Sequence, residues 1–452
     1  MPSKRILSIY VPRFTGPSVL ALLVSAPMAT SAIAQADATT PASAPPQIRS
    51  ESIWNVSGFG TLGVVDQFGG GDLRFLRNST QLGSSSKLSA LSDSRLGLQF
   101  DWRSGSQWEG GIQGVLLRRP SGAPASESIE WAYLGYRLWP DMRVRIGRTS
   151  PDLFLFSDSR NVGFALPWAR PPVDFYGNVP LAAIDGIDID QGWRAGDSTW
   201  RARATAGSVG SSVTDTDGTR LKFKGKDVMA LSLTREEGGL LMKATFLRSR
   251  LRVNTGAGAA QLQQGLDELS TLPVPGLADS LGPLGANLWS GGPARYFGLA
   301  AMYETGPWTF IAEGSQVNVP RSPLSARRGY VSAGYRVGTV TYYGIASRVK
   351  PTKGAAAEPA LADALTPFIG PEGAQQAQTI AGFAAAAGNN FRYDQATVGV
   401  GLRWDFAQNA ALKLQVDRFD VNRNGSAGWR YSDGRAAKGT LVSVLVDFVW
   451  GQ

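Results

Sequence analysis

The chain has 452 residues with no Cys and no His, and 45 Lys+Arg against 36 Asp+Glu give it a formal charge of +9. The missing thiols and imidazoles exclude disulfides, thiol nucleophiles, Ser-His-Asp triads and nearly all zinc and haem ligand sets, so no cofactor and no metal is expected. The cations are scattered without Lys/Arg runs, which argues against nucleic acid as a partner.

Residues 1–34 read as a secretory leader, with basic Lys4, Arg5 and Arg13, an apolar stretch from Val19 to Ala26 and the small-residue pattern Ala32-Ile33-Ala34. The leader holds three cations and no acid, so its removal lowers the formal charge from +9 to +6. Residues 35–50 are rich in Ala, Thr and Pro without a hydrophobic period and read as a disordered lead-in. Beyond them no run of about 18 apolar residues occurs, so no transmembrane helix is expected.

Residues 51–452 break into alternating apolar and polar stretches, each near the length that crosses a bilayer at a tilt. In chain order they span 53–65, 93–102, 107–118, 127–138, 141–149, 185–193, 198–209, 226–235, 240–252, 294–304, 307–318, 328–337, 339–350, 393–406, 410–423 and 437–450. Tight turns at 103–106, 139–140, 194–197, 236–239, 305–306, 338 and 407–409 alternate with long connections at 66–92, 119–126, 150–184, 210–225, 253–293, 319–327, 351–392 and 424–436. A soluble sandwich has no reason to gather every short connection at one end, whereas a membrane barrel keeps turns on one side and loops on the other.

Trp102, Trp108, Trp139, Trp193, Trp200, Trp308 and Trp404 lie within a few residues of a tight turn, with Trp54 and Trp450 near the barrel's chain ends, as an aromatic girdle at the headgroup level requires. Alternation assigns faces where it is clean. Leu96, Leu98, Phe100 and Trp102 face outward against Arg95, Gln99 and Asp101. Val398, Val400, Leu402, Trp404 and Phe406 oppose Thr397, Arg403 and Asp405, and Val442, Val444 and Val446 oppose Ser443 and Asp447. The strand at 127–138, with Glu130, Trp131, Tyr133 and Tyr136, has no clean face. Stretches at 259–269 and 373–387 have the composition of short helices in long loops, for which shielding of the barrel mouth is the simplest role.

About sixteen strands enclose a bore too wide for side chains to fill. The connection 150–184 is too apolar and Pro-rich for a solvent loop and predicts packing against protein. With this strand count, the alternation of connections, Gly147-Arg148 ending the fifth strand and the terminal aromatic strand, the mature chain resembles the trimeric general porins of the Gram-negative outer-membrane porin superfamily. It departs from them in ending Trp450-Gly451-Gln452 where the family ends on Phe. The resemblance implies an all-β, transmembrane, antiparallel up-and-down barrel whose third extracellular loop folds inward. It further implies Sec export to the cell outer membrane, a homotrimer, contact with outer-membrane lipid and lipopolysaccharide, and passive diffusion of small hydrophilic solutes and ions.

Such porins carry a wall cluster of arginines facing acids of the inward loop. Here Arg95, Arg143, Arg145 and Arg148, with Arg201 and Arg203, would stand opposite Asp152, Asp158 and Asp174. Lys243, Arg336, Arg403 and Lys413 add inward cations, and Asp101, Asp188, Asp190, Glu313, Asp405 and Asp417 are the inward acids. The basic excess predicts a mild preference for anions. Individual arginines have a blander reading as partners of neighbouring strands, and Asp188 with Asp190 lack the further ligands calcium needs. Two other functions stay open: a substrate-specific channel for phosphate, another oxyanion or an organic anion, and a non-channel outer-membrane barrel, adhesin or enzyme. A hydrolase would have to be carboxylate-based, and no hydrolase-type Ser motif accompanies the strands.

Overall fold

A computed structural model describes residues 52–451 apart from 181, 182, 255, 289, 290 and 321, so the expected leader and lead-in lie outside the described residues. Sixteen long strands carry the architecture. They are β1 (Ser52–Gly69), β2 (Arg95–Ser104), β3 (Trp108–Leu117), β4 (Ile129–Trp139), β5 (Met142–Thr149), β6 (Ile184–Ala195), β7 (Ser198–Thr214) and β8 (Arg220–Glu237). The second half adds β9 (Leu240–Asn254), β10 (Gly291–Thr305), β11 (Trp308–Asn318), β12 (Ala326–Val337), β13 (Val340–Pro351), β14 (Tyr393–Ala407), β15 (Ala410–Ser426) and β16 (Ala437–Trp450). Each pairs antiparallel with its chain neighbours, and β1 pairs with β16 from Gly58↔Trp450 to Gly69↔Gly439, closing an up-and-down barrel with no free edge.

Alternation sets the two faces. Along β2, Arg95 and Gln99 are buried while Leu96 and Leu98 are exposed, and along β16 Ser443 and Asp447 are buried while Val442 and Val444 are exposed. Apolar side chains turned outward around a closed ring are what a hydrocarbon environment selects. The tight turns close with left-handed glycines: Gly306 and Gly338 have φ near +56° and +59° with open space where a Cβ would stand, so conformation alone requires Gly. Trp54, Trp108, Trp139, Trp193, Trp308, Trp404 and Trp450 are exposed beside that end, several in ring pairs such as Trp193–Trp200 at 6.1 Å.

One expectation about the connections needs correction. The connection 210–225 is mostly strand: β7 and β8 run on to a five-residue turn at 215–219, because Val209, Val213, Leu221 and Phe223 continue the alternation into the apolar core. The ambiguous strand at 127–138 is β4, where the register shifts between Gln113 and Gly114. That bulge disturbs the period of two, which is why no face could be read from it.

The long connections hold a short helix α1 (Val173–Tyr176) and three longer ones, α2 (Gly256–Ser270), α3 (Leu277–Asn287) and α4 (Ala362–Asn389), the last kinked at Gly370. Leu266, Leu281, Leu284, Leu365, Ala377 and Ala381 form their own buried cluster, so two loops distant in sequence share one helical layer.

Candidate functional site

The inner wall of β3, β5, β6 and β7 carries a ladder of ion pairs set by register. Arg143↔Asp190 and Arg145↔Asp188 are neighbours across β5 and β6, and Asp190↔Arg203 and Asp188↔Thr205 across β6 and β7. Arg143 donates to Glu109 at 3.2 Å and Asp190 at 2.9 Å, and Arg145 forks onto Asp188 Oδ1 at 2.8 and 2.6 Å. Arg201 bonds Asp190, and Arg203 bonds Asp188 and the Ser150 carbonyl. Forked guanidinium–carboxylate contacts fix both planes, so the ladder is a rigid, mixed-charge surface rather than a row of free arginines.

Segment 150–183 bonds side by side with inner-face groups of most other strands. Asp152 accepts from Ser232 Oγ at 2.6 Å and pairs with Lys243, while the Leu155 amide donates to Glu313 at 3.0 Å. Burial alone would raise the Asp152 carboxyl, but the charges of Lys243, Arg203 and Arg201 outweigh it and hold it below the usual carboxylate range. The Trp168 indole donates to Ser332 at 2.8 Å. Lys413 donates to the carbonyls of Gly163 and Leu166 at 2.7 and 2.6 Å and pairs with Asp447 at 2.9 Å, both side chains fully buried.

Arg170, 1% exposed, reaches Asp93 at 2.8 Å and Asp417 at 3.0 Å. Burial pulls its guanidinium down, yet the two carboxylates more than offset this and its pKa is raised, as a buried arginine requires. Asp174 differs from these. It accepts from Ser347 at 2.8 Å, Gln395 at 2.7 Å and Thr397 at 3.2 Å with no ion-pair partner among the described residues, and burial pushes it up to about 6 against those hydrogen bonds.

The apolar residues of the segment pack on one side. Leu153, Phe154, Phe156, Leu166, Trp168, Phe175 and Tyr176 join inner residues of β7 to β13 such as Val228, Leu247, Tyr296, Tyr330 and Ile345. Facing the other way, Ser150 and Asp158 border a cleft whose wall is Asp101, Glu109, Trp131, Tyr133, Arg143 and Arg145. Open space is therefore left beside β2 to β5.

Of the expected cluster, Arg143, Arg145, Arg201 and Arg203 come together, and Arg95 stands on the same inner face bonded to the Asn161 carbonyl at 2.6 Å. Arg148 does not join them. It follows Gly147, so the period of two turns it to the outer face, where it forks onto exposed Asp185 at 2.6 and 2.8 Å. Asp158 lies 3.6 Å from Arg203, but Asp152 is taken by Lys243, and Asp174 sits among neutral donors of β13 and β14, away from the arginines. Besides Asp158, the carboxylates that face the cluster are Asp188, Asp190 and Glu109 of the wall itself. Glu109 and Arg170 went unmarked in the sequence, although an arginine in the apolar run Pro167-Trp168-Ala169-Arg170-Pro171 must find buried partners. Among the described residues no cluster of three His, Cys, Asp or Glu side chains could hold a metal ion.

Fold and wall together define a closed sixteen-stranded antiparallel barrel with an apolar exterior and a charged interior. Solved structures to which the chain is similar include the outer membrane channel DcaP of Acinetobacter baumannii, at 13% identity over 88% of this chain and 97% of that one, TM-score 0.49. The anion-selective porin from Comamonas acidovorans matches at 12% identity over 88% and 100%, TM-score 0.47, and Salmonella typhi OmpF in complex with daunomycin at 11% over 88% and 97%, TM-score 0.47. No protein-family model and no curated protein matches the chain.

Proposed function

We propose that this chain is an outer-membrane porin, a water-filled channel for passive diffusion of small hydrophilic solutes, with segment 150–183 folded into the barrel as its constriction. The single observation that carries this reading is the two-sidedness of the segment. Its apolar residues pack on the inner faces of β7 to β13, while Ser150 and Asp158 border a cleft against the charged wall of β2 to β5. A path that narrow, between fixed charges and low-dielectric walls, makes ion passage depend on the sign of the wall. Among inward residues of β2 to β7, arginines 95, 103, 137, 143, 145, 201 and 203 outnumber carboxylates 101, 109, 130, 188 and 190, which supports a mild anion preference.

The outer face supports a homotrimer. Around β1 to β5 it offers Leu62, Leu98, Ile112, Leu116 and Ile146, all exposed, with Arg148 neutralised by Asp185, as a surface suited to burial against copies of the chain. The test is planar-bilayer conductance of the refolded protein under a salt gradient. Stepwise openings with a weakly anionic reversal potential are expected, shifting toward cations in Arg143→Ala/Arg145→Ala and unmoved in Arg148→Ala. A folded barrel without openings would sink the channel reading. A second reading, a specific anion channel, draws on the Arg145 guanidinium held 5.0 Å over the Tyr133 ring beside Trp131 in the cleft. Flux that saturates with an oxyanion or an organic anion would favour it.

A further inference from the structure

We propose that the inner wall of β10 to β12 holds a structural monovalent inorganic anion, a halide or nitrate, bound by the Arg328 guanidinium together with the hydroxyls of Tyr296 and Ser315. The site lies apart from the ion-pair ladder of β3 and β5 to β7, and its occupancy does not depend on whether the barrel conducts.

Arg328 is the first observation. It is 5% exposed, its Nε and Nη1 are buried and unpaired, and among the described residues it makes no hydrogen bond and no ion pair. An arginine keeps its charge inside a protein, and a buried charge without a counter-ion is strongly destabilising. Other arginines that leave a buried nitrogen unpaired are anchored through another one: Arg95 on the Asn161 carbonyl, Arg203 on Asp188 and Arg392 on Asp394. Glu313, one inward position nearer the turns, is already taken. It accepts from Tyr330 at 2.6 Å, from Tyr176 and from the Leu155 amide at 3.0 Å.

The second observation is that the groups beside Arg328 are unpaired as well. Register places Ser315 directly opposite Arg328, and Gly298 directly opposite Ser315. A Cβ at Gly298 would stand 2.7 Å from Tyr296 Oη, so the missing side chain lets that hydroxyl lie over Gly298, next to Ser315. Tyr296 Oη and Ser315 Oγ are both buried without a hydrogen-bond partner among the described residues. Hydroxyls turn to suit an acceptor, so these neighbouring positions offer N–H and O–H donors to one point. Buried donors left open in this way call for an occupant.

The surroundings select its chemistry. Strands stand about 5 Å apart, so donors on β10, β11 and β12 converge over the width of one small ion. A single guanidinium balances a single negative charge, whereas sulfate or phosphate would leave buried charge uncompensated. Apolar neighbours favour an ion that gives up water easily: Ala326, Val349 and Tyr393 pack together on one side, and the Phe154 ring stands 6.0 Å from that of Tyr296 on the other. The ion would tie together three strands on which segment 150–183 rests, through Phe154 on Tyr296 and Phe175 on Tyr330 at 5.3 Å.

The full chain, refolded in neutral detergent and gluconate buffer, is unfolded by heat while gluconate is exchanged for chloride, bromide, nitrate or sulfate at constant ionic strength. The midpoint should rise about 1–2 °C per tenfold increase in chloride, bromide or nitrate, and not with sulfate. Arg328→Met should abolish that dependence, and Tyr296→Phe/Ser315→Ala should move it to concentrations about tenfold higher or more. Crystals grown in bromide should show an anomalous peak at hydrogen-bond distance from Arg328 Nε or Nη1. Equal dependence in the wild type and Arg328→Met overturns the proposal, and so does sulfate acting as strongly as chloride, which would mean screening. If Arg328→Met does not fold, the double hydroxyl variant decides, and an unchanged dependence there overturns it. Bromide beside Arg328 with no halide dependence of unfolding would mean an adventitious ion only, and no bromide there would mean a solvated arginine; either overturns it. Bromide on Arg143 and Arg145 alone overturns this inference and leaves the channel reading standing. A halide-dependent barrel with bromide at Arg328 that never opens in a bilayer does the reverse.

Discussion

Asp174 is the buried acid of the segment that has no ion-pair partner among the described residues, and its effect on stability has a definite sign. Burial lifts its carboxyl from an ordinary value near 4 to about 6, so the folded chain holds a proton there that the unfolded chain has lost. Its contribution to stability is greatest at low pH, falls as pH rises from about 4 to about 6, and remains as a constant penalty above that, on the order of 3 kcal/mol. Asp174→Asn keeps an oxygen for the Gln395 and Thr397 donors and removes the titration. Thermal unfolding between pH 4.5 and 7.5 should show a flatter profile for the variant than for the wild type, with the gain in stability confined to the upper half of the range. Identical slopes would mean that Asp174 titrates normally.

Segment 150–183 is held as an element rather than by any one contact. Lys413 of β15 and Arg403 of β14 bind its carbonyls at 163, 164 and 166, its own Trp168 and Arg170 reach Ser332 of β12 and Asp417 of β15, and Gly163 packs directly against the wall. A Cβ at Gly163 would stand 2.0 Å from Asp447 Oδ1 and 2.5 Å from Thr61 Oγ1, so a larger residue must displace that buried, hydrogen-bonded pair or the segment itself. Gly163→Val should cost about 1–3 kcal/mol by overpacking and loosen the segment. Single-channel recording would register this as larger, noisier openings, and openings of unchanged size would show that the segment does not set the bore. The helical layer of α2, α3 and α4 is held differently, by its own buried leucines and alanines, which makes it a separate unit of packing from the segment.

At the scale of the whole molecule the exterior divides in two. Among the described residues the half around β1 to β5 is mostly apolar, its outward charges being Asp66 and Arg148 paired with Asp185, and the half from β8 to β13 carries cations without ion pairs at the long-loop end. The proposed homotrimer, formed through the first half, would bury mostly apolar surface and leave the basic second half outside the interface. Leu98→Arg in β2 should therefore dissociate the trimer on a detergent gel. Val400→Arg in β14, equally exposed in the single chain, should destabilise the barrel by about 2–4 kcal/mol at mid-depth while leaving the trimer intact. Dissociation by both substitutions, or by neither, would place the interface elsewhere.

The sixteen strands, the end at which the turns gather and the aromatic girdle were all legible in the amino-acid sequence, because each depends on a period of two, on glycine in tight turns and on Trp position along one strand at a time. The β4 bulge and the extended β7–β8 hairpin were not, since a bulge depends on the partner strand and a strand's length on what covers its far end. In the candidate site the sequence determined which residues could be cationic and inward, and simple parity along β5 already separates Arg148 from Arg143 and Arg145. Partners were decided only by tertiary structure. Arg145 meets Asp188 and Arg203 meets Asp188 through register across β5, β6 and β7, while Arg170 meets Asp93 77 residues before it and Asp417 247 residues after it. Ion pairing depends on distances of a few ångströms between chain segments, and those distances exist only once the barrel has closed.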